Sequence, residues 1–278
     1  MPVMTPAPAP PLLEARDLNV SVHVAHRWGT ATQRVVLHGV NLCVHRGQTL
    51  AVVGESGAGK STLVRALLRL QRPAVGQVLI DGQDLAILSP GELRAQRRRI
   101  QIVFQDPIAS LNPALTVLEL VTDPLRPGAG AIGTALKEKA LEQLQTVGLG
   151  AEYLGRRAAE LSGGQAQRVA IARALITGPE MLICDEPVSA LDLALRSQVL
   201  RLLADLQRQR SLALLLVTHD LHAARFLCER TLVLRRGAVV EQGVTTQLFA
   251  RPAADYTREL LASMLSVDPG GRASRSVS

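Results

Sequence analysis

Residues 49–70 read TLAVVGESGAGKSTLVRALLRL. The apolar run 49–53 predicts a strand, 62–70 carries apolar residues at helical spacing, and between them stands the pattern G-x-x-x-x-G-K-[ST]. In that setting Gly54, Glu55, Ser56, Gly57, Ala58, Gly59, Lys60 and Ser61, with Thr62 behind them, read as a phosphate-binding loop. Its N–H groups and the positive end of the following helix converge on an anion, and its glycines let the backbone approach without a clashing Cβ. Lys60 is expected to reach the outer phosphates and Ser61 to offer its hydroxyl to Mg²⁺. A glycine-rich turn with no ligand is the plainer reading; the contiguous strand and helix argue against it.

The chain has 278 residues, 47% of them hydrophobic and only 2% aromatic, so its core must be built from Leu, Val, Ile and Ala in one large or two interlocked domains. No apolar run reaches the roughly 18 residues that cross a bilayer. The N-terminus, MPVMTPAPAPP, lacks the apolar segment of a secretory signal and favours a disordered lead-in over 1–11, so a cytoplasmic protein is expected. Cys43, Cys184 and Cys228 are widely spaced beside apolar residues and read as reduced, buried thiols. The net charge of +7 is spread along the chain. Its longest run, Arg97-Arg98-Arg99, reads as a solvated helix face and supports no nucleic-acid partner.

Two strands, 12–22 and 35–44, precede the phosphate loop, parted by a polar loop with His26, Arg27 and Trp28. Beyond it, 77–80 and the Asp81-Gly82 turn form a hairpin signal, Ser89-Pro90-Gly91-Glu92 a helix start, and 100–104 a strand ending at Gln105. From Asp106 the character changes: the segment 106–160, rich in proline at first and then helical in pattern, reads as an inserted helical subdomain. The core resumes with a helix at 165–176 and strand 181–184, then helix 193–208, strand 212–217, helix 221–228 and strands 231–234 and 238–241. A helical stretch at 245–265 and a disordered tail, 266–278, follow. This alternation predicts an α/β fold over 12–265 with a largely parallel sheet covered on both faces.

The strand at 181–184 ends in Asp185 and Glu186, on the sheet edge that carries the phosphate loop. Asp185 is thus placed to hold Mg²⁺ through its water shell, and Glu186 to orient or deprotonate an attacking water. The bland alternative is a pair of capping carboxylates. His219 and Gln105 end their own strands at the same edge, which points to the γ-phosphate. Leu161-Ser162-Gly163-Gly164-Gln165 contains an S-x-x-Q capping box, but two glycines in a first helical turn cost up to about 1 kcal/mol each, which fits a backbone that a ligand must approach. One nucleotide would hardly engage both helix starts within one subunit unless the inserted segment folded back, so the second is read as serving a partner's nucleotide.

Together these pieces resemble the ATP-binding cassette family. They are the phosphate loop, the glutamine loop at Gln105, the signature LSGGQ at 161–165, the Walker B strand with Asp185 and Glu186, Ser189-Ala190-Leu191-Asp192, and the switch His219. The resemblance covers about 12–262. It implies a P-loop NTPase fold with a RecA-like core, an N-terminal antiparallel β-subdomain and the inserted helical subdomain. It implies ATP hydrolysis with Mg²⁺ held near Ser61, Gln105 and Asp185, and a head-to-tail dimer in which Ser162 and Gly164 bind γ-phosphate in trans, with Asp192 at the interface. The helical segment would pass the motion to membrane-spanning partners. The family's adenine-stacking aromatic falls near Val22, with His23 or Trp28 as substitutes.

The runs 105–113 (QDPIASLNP), 184–192 (CDEPVSALD) and 256–261 (YTRELL) look like the dipeptide, oligopeptide and nickel importer branch. That branch implies two permease subunits, a second ATPase subunit that is a paralogue or this chain itself, an extracytoplasmic substrate-binding protein, and a peripheral place on the cytoplasmic face of the inner membrane. A soluble cassette protein acting on the ribosome or nucleic acid is the alternative; such proteins commonly fuse two cassettes or insert a long coiled coil, and neither pattern occurs here. A non-hydrolysing regulatory subunit is expected to lack the carboxylate or the histidine, yet Glu186 and His219 are present.

Overall fold

The structure, a computed structural model, describes residues 10–24, 32–126, 130–189 and 191–265. Most of the expected lead-in, the tail from 266, and Trp28 lie outside the described residues, as does the side chain of His23. The strands are β1 (Leu13–Val24), β2 (Thr32–Val44), β3 (Thr49–Val53), β4 (Val75–Ile80), β5 (Gln83–Asp84), β6 (Ile100–Val103), β7 (Met181–Asp185), β8 (Ala213–Thr218), β9 (Arg230–Arg235) and β10 (Ala238–Val244). The helices are α1 (Lys60–Leu67), α2 (Pro90–Arg99), α3 (Pro107–Ser110), α4 (Val117–Thr122), α5 (Thr134–Thr146), α6 (Gly163–Leu175), α7 (Leu193–Arg210), α8 (Leu221–Leu227), α9 (Thr245–Ala250) and α10 (Asp255–Leu265).

Among the described residues, one sheet runs β10-β9-β3-β8-β7-β6, parallel throughout except for the antiparallel edge strand β10. Strands β3, β7 and β8 are buried on both faces, which is why they read as unbroken apolar runs. Alternation sorts their side chains into two cores. Ala51, Val53, Leu182, Cys184, Leu214 and Leu216 face α6, α7 and α8. Leu50, Val52, Met181, Ile183, Leu215 and Val217 face α1 and a second, antiparallel sheet ordered β2-β1-β4-β5. The loop 54–61 and the two carboxylates therefore emerge from the ends of fully buried parallel strands.

Helices α3, α4 and α5 pack on α6, and their Leu111, Val117, Leu120, Val121, Ala140 and Leu144 join the core that α6 shares with the central sheet. Segment 106–160 thus does not close a core of its own: α6 is its floor. The expected helix at 245–265 is two helices. Pro252 lacks the N–H that would continue α9, and the Glu241 carboxylate accepts instead from the N–H groups of Ala253 (2.9 Å) and Ala254 (3.0 Å).

Two sequence readings need correction. Arg97-Arg98-Arg99 is not simply a solvated face: Arg97 donates to the carbonyls of Leu68 and Arg69, and Arg99 pairs with Asp81 and Glu180, to which Arg46 also binds. These bonds tie α2 to the turns around it. Cys184 and Cys228 are buried thiols, burial pushing Cys184 up to about 12, but Cys43 is exposed, because Leu42 and Val44 take the inward positions of β2.

Candidate active site

Strand β3 ends at Val53 between β8 and β9, and the loop 54–59 leads into α1. Helix α1 starts at Gly59 (φ 104°) with no side-chain cap and no acidic residue in its first turn, as α5 and α9 do, but it alone of the three begins at the end of the loop 54–59. Its leading N–H groups are left for an anion. Gly54 is required by close approach: a Cβ there would stand 2.2 Å from the Leu234 carbonyl oxygen. Lys60, buried, donates through Nζ to the carbonyls of Gly54 (2.7 Å) and Glu55 (2.9 Å) and lies 3.7 Å from Glu186 Oε1. Burial lowers its pKa, and the carboxylates of Glu186 and Asp185 oppose that shift.

On the facing strands, Asp185 closes β7 and is buried; burial raises its pKa, against a hydrogen bond from Ser61, and its Oδ1 has no hydrogen-bond partner. Glu186 follows in a left-handed conformation (φ 48°), fixed by its N–H donating to Val217 at 2.8 Å. A non-glycine residue held there costs of order 1 kcal/mol and turns its carboxylate from the strand towards the loop. Its Oε2 is 3.0 Å from Nδ1 of His219, which is 58% exposed. His219 is positioned by its neighbours: the Asp220 N–H bonds Thr218 Oγ1, and the Asp220 carboxylate caps α8. Neither Asp185 nor Glu186 caps a helix; Asp192 caps α7, accepting from Leu195 N–H at 2.9 Å.

Gly54, Glu55, Ser56, Gly57, Gly59, Lys60, Ser61, Thr62, Gln105, Glu186 and His219 line one open cleft of about 1120 Å³. A buried carboxylate with an unpartnered oxygen beside a hydroxyl is a hard oxygen donor set, which fits a divalent cation completed by phosphate and water. Among the described residues no group of three His, Cys, Asp or Glu could hold a metal alone.

Leu161–Gln165 does not line that cleft. Ser162 is exposed, and its capping box with Gln165 is formed: Ser162 N–H to Gln165 Oε1 at 2.9 Å, Gln165 N–H to Ser162 Oγ at 3.4 Å. The glycine after next has a packing reason that the sequence reading missed, since a Cβ on Gly164 would crowd the Leu195 side chain at 3.1 Å.

The sequence profile described as ABC transporter matches residues 37–189. The chain belongs to the ABC transporter family. A putative peptide import ATP-binding protein of Brucella ovis is 42% identical over 269 residues, which is 96% of this chain and 83% of that one. The oligopeptide transport ATP-binding protein OppF of Escherichia coli K12 is 40% identical over 263 residues, 93% and 79% of the two chains. Among solved structures, the dimeric ATP-binding cassette MJ0796 bound to ADP and Pi is 33% identical with a TM-score of 0.72, covering 84% of this chain and 98% of that one. The cbiO1 subunit of the Clostridium perfringens ABC transporter complex cbiONQ is 27% identical with a TM-score of 0.73, covering 94% and 96%. This chain is accordingly an ABC ATPase, with the P-loop NTPase fold that its motifs imply.

Linear motifs did not reveal the rest of the cleft wall of this ABC ATPase. Arg34, Val35, Val36 and His38 of β2, Arg236 of the β9–β10 turn, and Leu260 and Ser263 of α10 all line it. Val22, near which the resemblance places the family's aromatic, pairs with Arg34 across β1 and β2 and is not among the lining residues. Only strand register could have revealed this, because β2 meets the phosphate loop through the β9–β10 turn: His38 N–H donates to Gly237 O, and Gly237 N–H to Ala58 O.

Proposed function

We propose that this chain is the ATP-hydrolysing subunit of a peptide importer, peripheral to the cytoplasmic face of the inner membrane. It works with two permease subunits, a second ATPase subunit and an extracytoplasmic binding protein. The names of the Brucella and Escherichia coli relatives support the peptide cargo, with nickel, free or chelated, as the alternative. No helix among the described residues is long and apolar enough to cross a membrane, in keeping with separate permease subunits.

The observation that carries the reading is the split site: phosphate loop, Gln105, Glu186 and His219 share one cleft, while Ser162 is exposed at another helix start outside it. The first-turn N–H groups of α1 and Lys60 hold the β- and γ-phosphates. Glu186, backed by His219, takes a proton from the water that attacks the γ-phosphorus as the bond to ADP breaks. Ser61, Gln105 and, through water, Asp185 would hold Mg²⁺, which would supply charge neutralisation across the two phosphates. Ser162 and Gly164 close on the same γ-phosphate from the partner subunit, with Asp192 at that interface, and the helical segment 106–160 carries the closure to the permeases.

The test is to purify this chain with its co-purifying membrane subunits, reconstitute them in liposomes, and supply the cognate binding protein with labelled peptide. ATP-dependent peptide uptake is expected. Uptake of nickel without peptide would replace the cargo, and absence of any membrane subunit would overturn the transport reading.

A further inference from the structure

The segment YTRELL at 256–261 has no part in the hydrolysis just described, yet it opens a helix seated against the phosphate loop. The Tyr256 side chain is 4% exposed, and its hydroxyl accepts from the Glu55 N–H at 3.2 Å, across 201 positions of sequence. The Arg235 guanidinium lies 4.4 Å above the ring and fixes its plane. Glu241 binds the N–H groups of Ala253 and Ala254 at the head of α10, so the helix is anchored to β10 just before Tyr256. One and two turns further on, Leu260 and Ser263 of the same helix line the nucleotide cleft.

Lys60 holds the other side of the same peptide through the Gly54 carbonyl, and the next peptide through the Glu55 carbonyl. When Lys60 turns to a triphosphate, the Gly54 carbonyl loses that donor, while the Glu55 carbonyl keeps the Ala58 N–H at 3.2 Å. The Gly54–Glu55 peptide is then held at its N–H by Tyr256, while Gly237 N–H on the Ala58 carbonyl holds the far side of the loop. We propose that Tyr256 is a positioning residue for ATP binding: its hydroxyl, carried by α10, keeps the phosphate loop in its nucleotide-ready shape while Lys60 leaves the loop's carbonyls for the phosphates. The C-terminal helix is thereby a working wall of the nucleotide site. The proposal rests on the assignment of 54–62 as the phosphate loop and adds the C-terminal helix to it.

Tyr256→Phe deletes the hydroxyl and keeps the ring under Arg235. The full chain is titrated with a fluorescent ATP analogue, and peptide-resolved hydrogen exchange is followed across the loop. Loss of one such hydrogen bond is expected to weaken nucleotide affinity roughly 3- to 10-fold. Exchange at 54–57 should quicken, with β7 and β8 unchanged, and in the assembled ATPase KM should rise with kcat held within about twofold. Wild-type affinity with wild-type exchange at the loop would overturn the proposal, and so would a loss of affinity accompanied by faster exchange throughout the central sheet, which would make Tyr256 merely structural. Lys60→Ala runs alongside. If it leaves nucleotide affinity intact, the phosphate-loop assignment itself fails; if it abolishes binding while Tyr256→Phe changes nothing, only the role of Tyr256 fails.

Discussion

Glu186→Gln keeps the shape of the side chain and removes its charge, and the structure sets two opposed consequences before any nucleotide is added. Lys60 Nζ loses a carboxylate 3.7 Å away, a gross attraction of about 4.5 kcal/mol at an effective dielectric constant near 20. Against this, Asp185 loses a like-charged neighbour that raises its pKa, and Lys60 keeps Asp185 and the two loop carbonyls. The net cost is therefore far below the gross figure, about 1 kcal/mol, which lowers the melting temperature by about 2–4 °C. Hydrolysis falls much further: a positioned general base contributes roughly 10²- to 10⁴-fold, and that factor is lost, while ATP affinity stays within about threefold because the loop and Lys60 remain. Single-turnover hydrolysis and a fluorescence titration with ATP separate the two quantities. Hydrolysis within tenfold of wild type, or a loss of affinity as large as the loss of turnover, would refute the assignment of Glu186 as base.

Asp185 has a folded pKa above the free value of 3.8, chiefly through burial, so its ionised form is penalised in the fold above that raised pKa and the penalty disappears below 3.8. Asp185→Asn is expected to raise the melting temperature of the nucleotide-free protein at pH 7, by an amount that shrinks towards pH 4, while Mg²⁺-dependent hydrolysis drops about 10²-fold or more; calorimetry against pH and a phosphate-release assay check the two halves. Arg46 and Arg99 hold the carboxyls of Asp81 and Glu180 below their usual range, a contribution present above about pH 4.5 and lost as the pH falls through the lowered values. Because Arg99, Asp81 and Glu180 are about a third exposed, Arg99→Gln costs only about 1 kcal/mol at pH 7, an effect that fades in acid and leaves ATP affinity unchanged, as paired melts and titrations would show. In a mixed dimer, Ser162→Arg in one subunit should abolish hydrolysis at the partner's phosphate loop and spare its own. The reverse pattern, read by photo-crosslinking of labelled nucleotide, would contradict a shared site.

Local chemistry was written into the chain. The phosphate loop follows from the run 49–62, since strand, glycine spacing and helix are contiguous there. The capping boxes at Ser89 and Ser162 were legible because each needs only two residues three apart. Fully buried parallel strands were legible as unbroken apolar runs, and Asp185, Glu186, His219 and Gln105 as the polar residues that end them. What the sequence could not carry is distance between segments far apart along the chain. That Arg97 and Arg99 brace turns, that Gly164 makes room for Leu195, and that α10 leans on the phosphate loop through Tyr256 all depend on partners dozens to hundreds of positions away, which no local periodicity encodes. The sequence by itself determined which groups sit at the ends of the central strands, because unbroken apolar runs and turn chemistry act over a few residues; the tertiary structure alone decided which distant segments, β2, the β9–β10 turn and α10, complete the cleft around them, because that follows from sheet order and the packing of helices on its two faces.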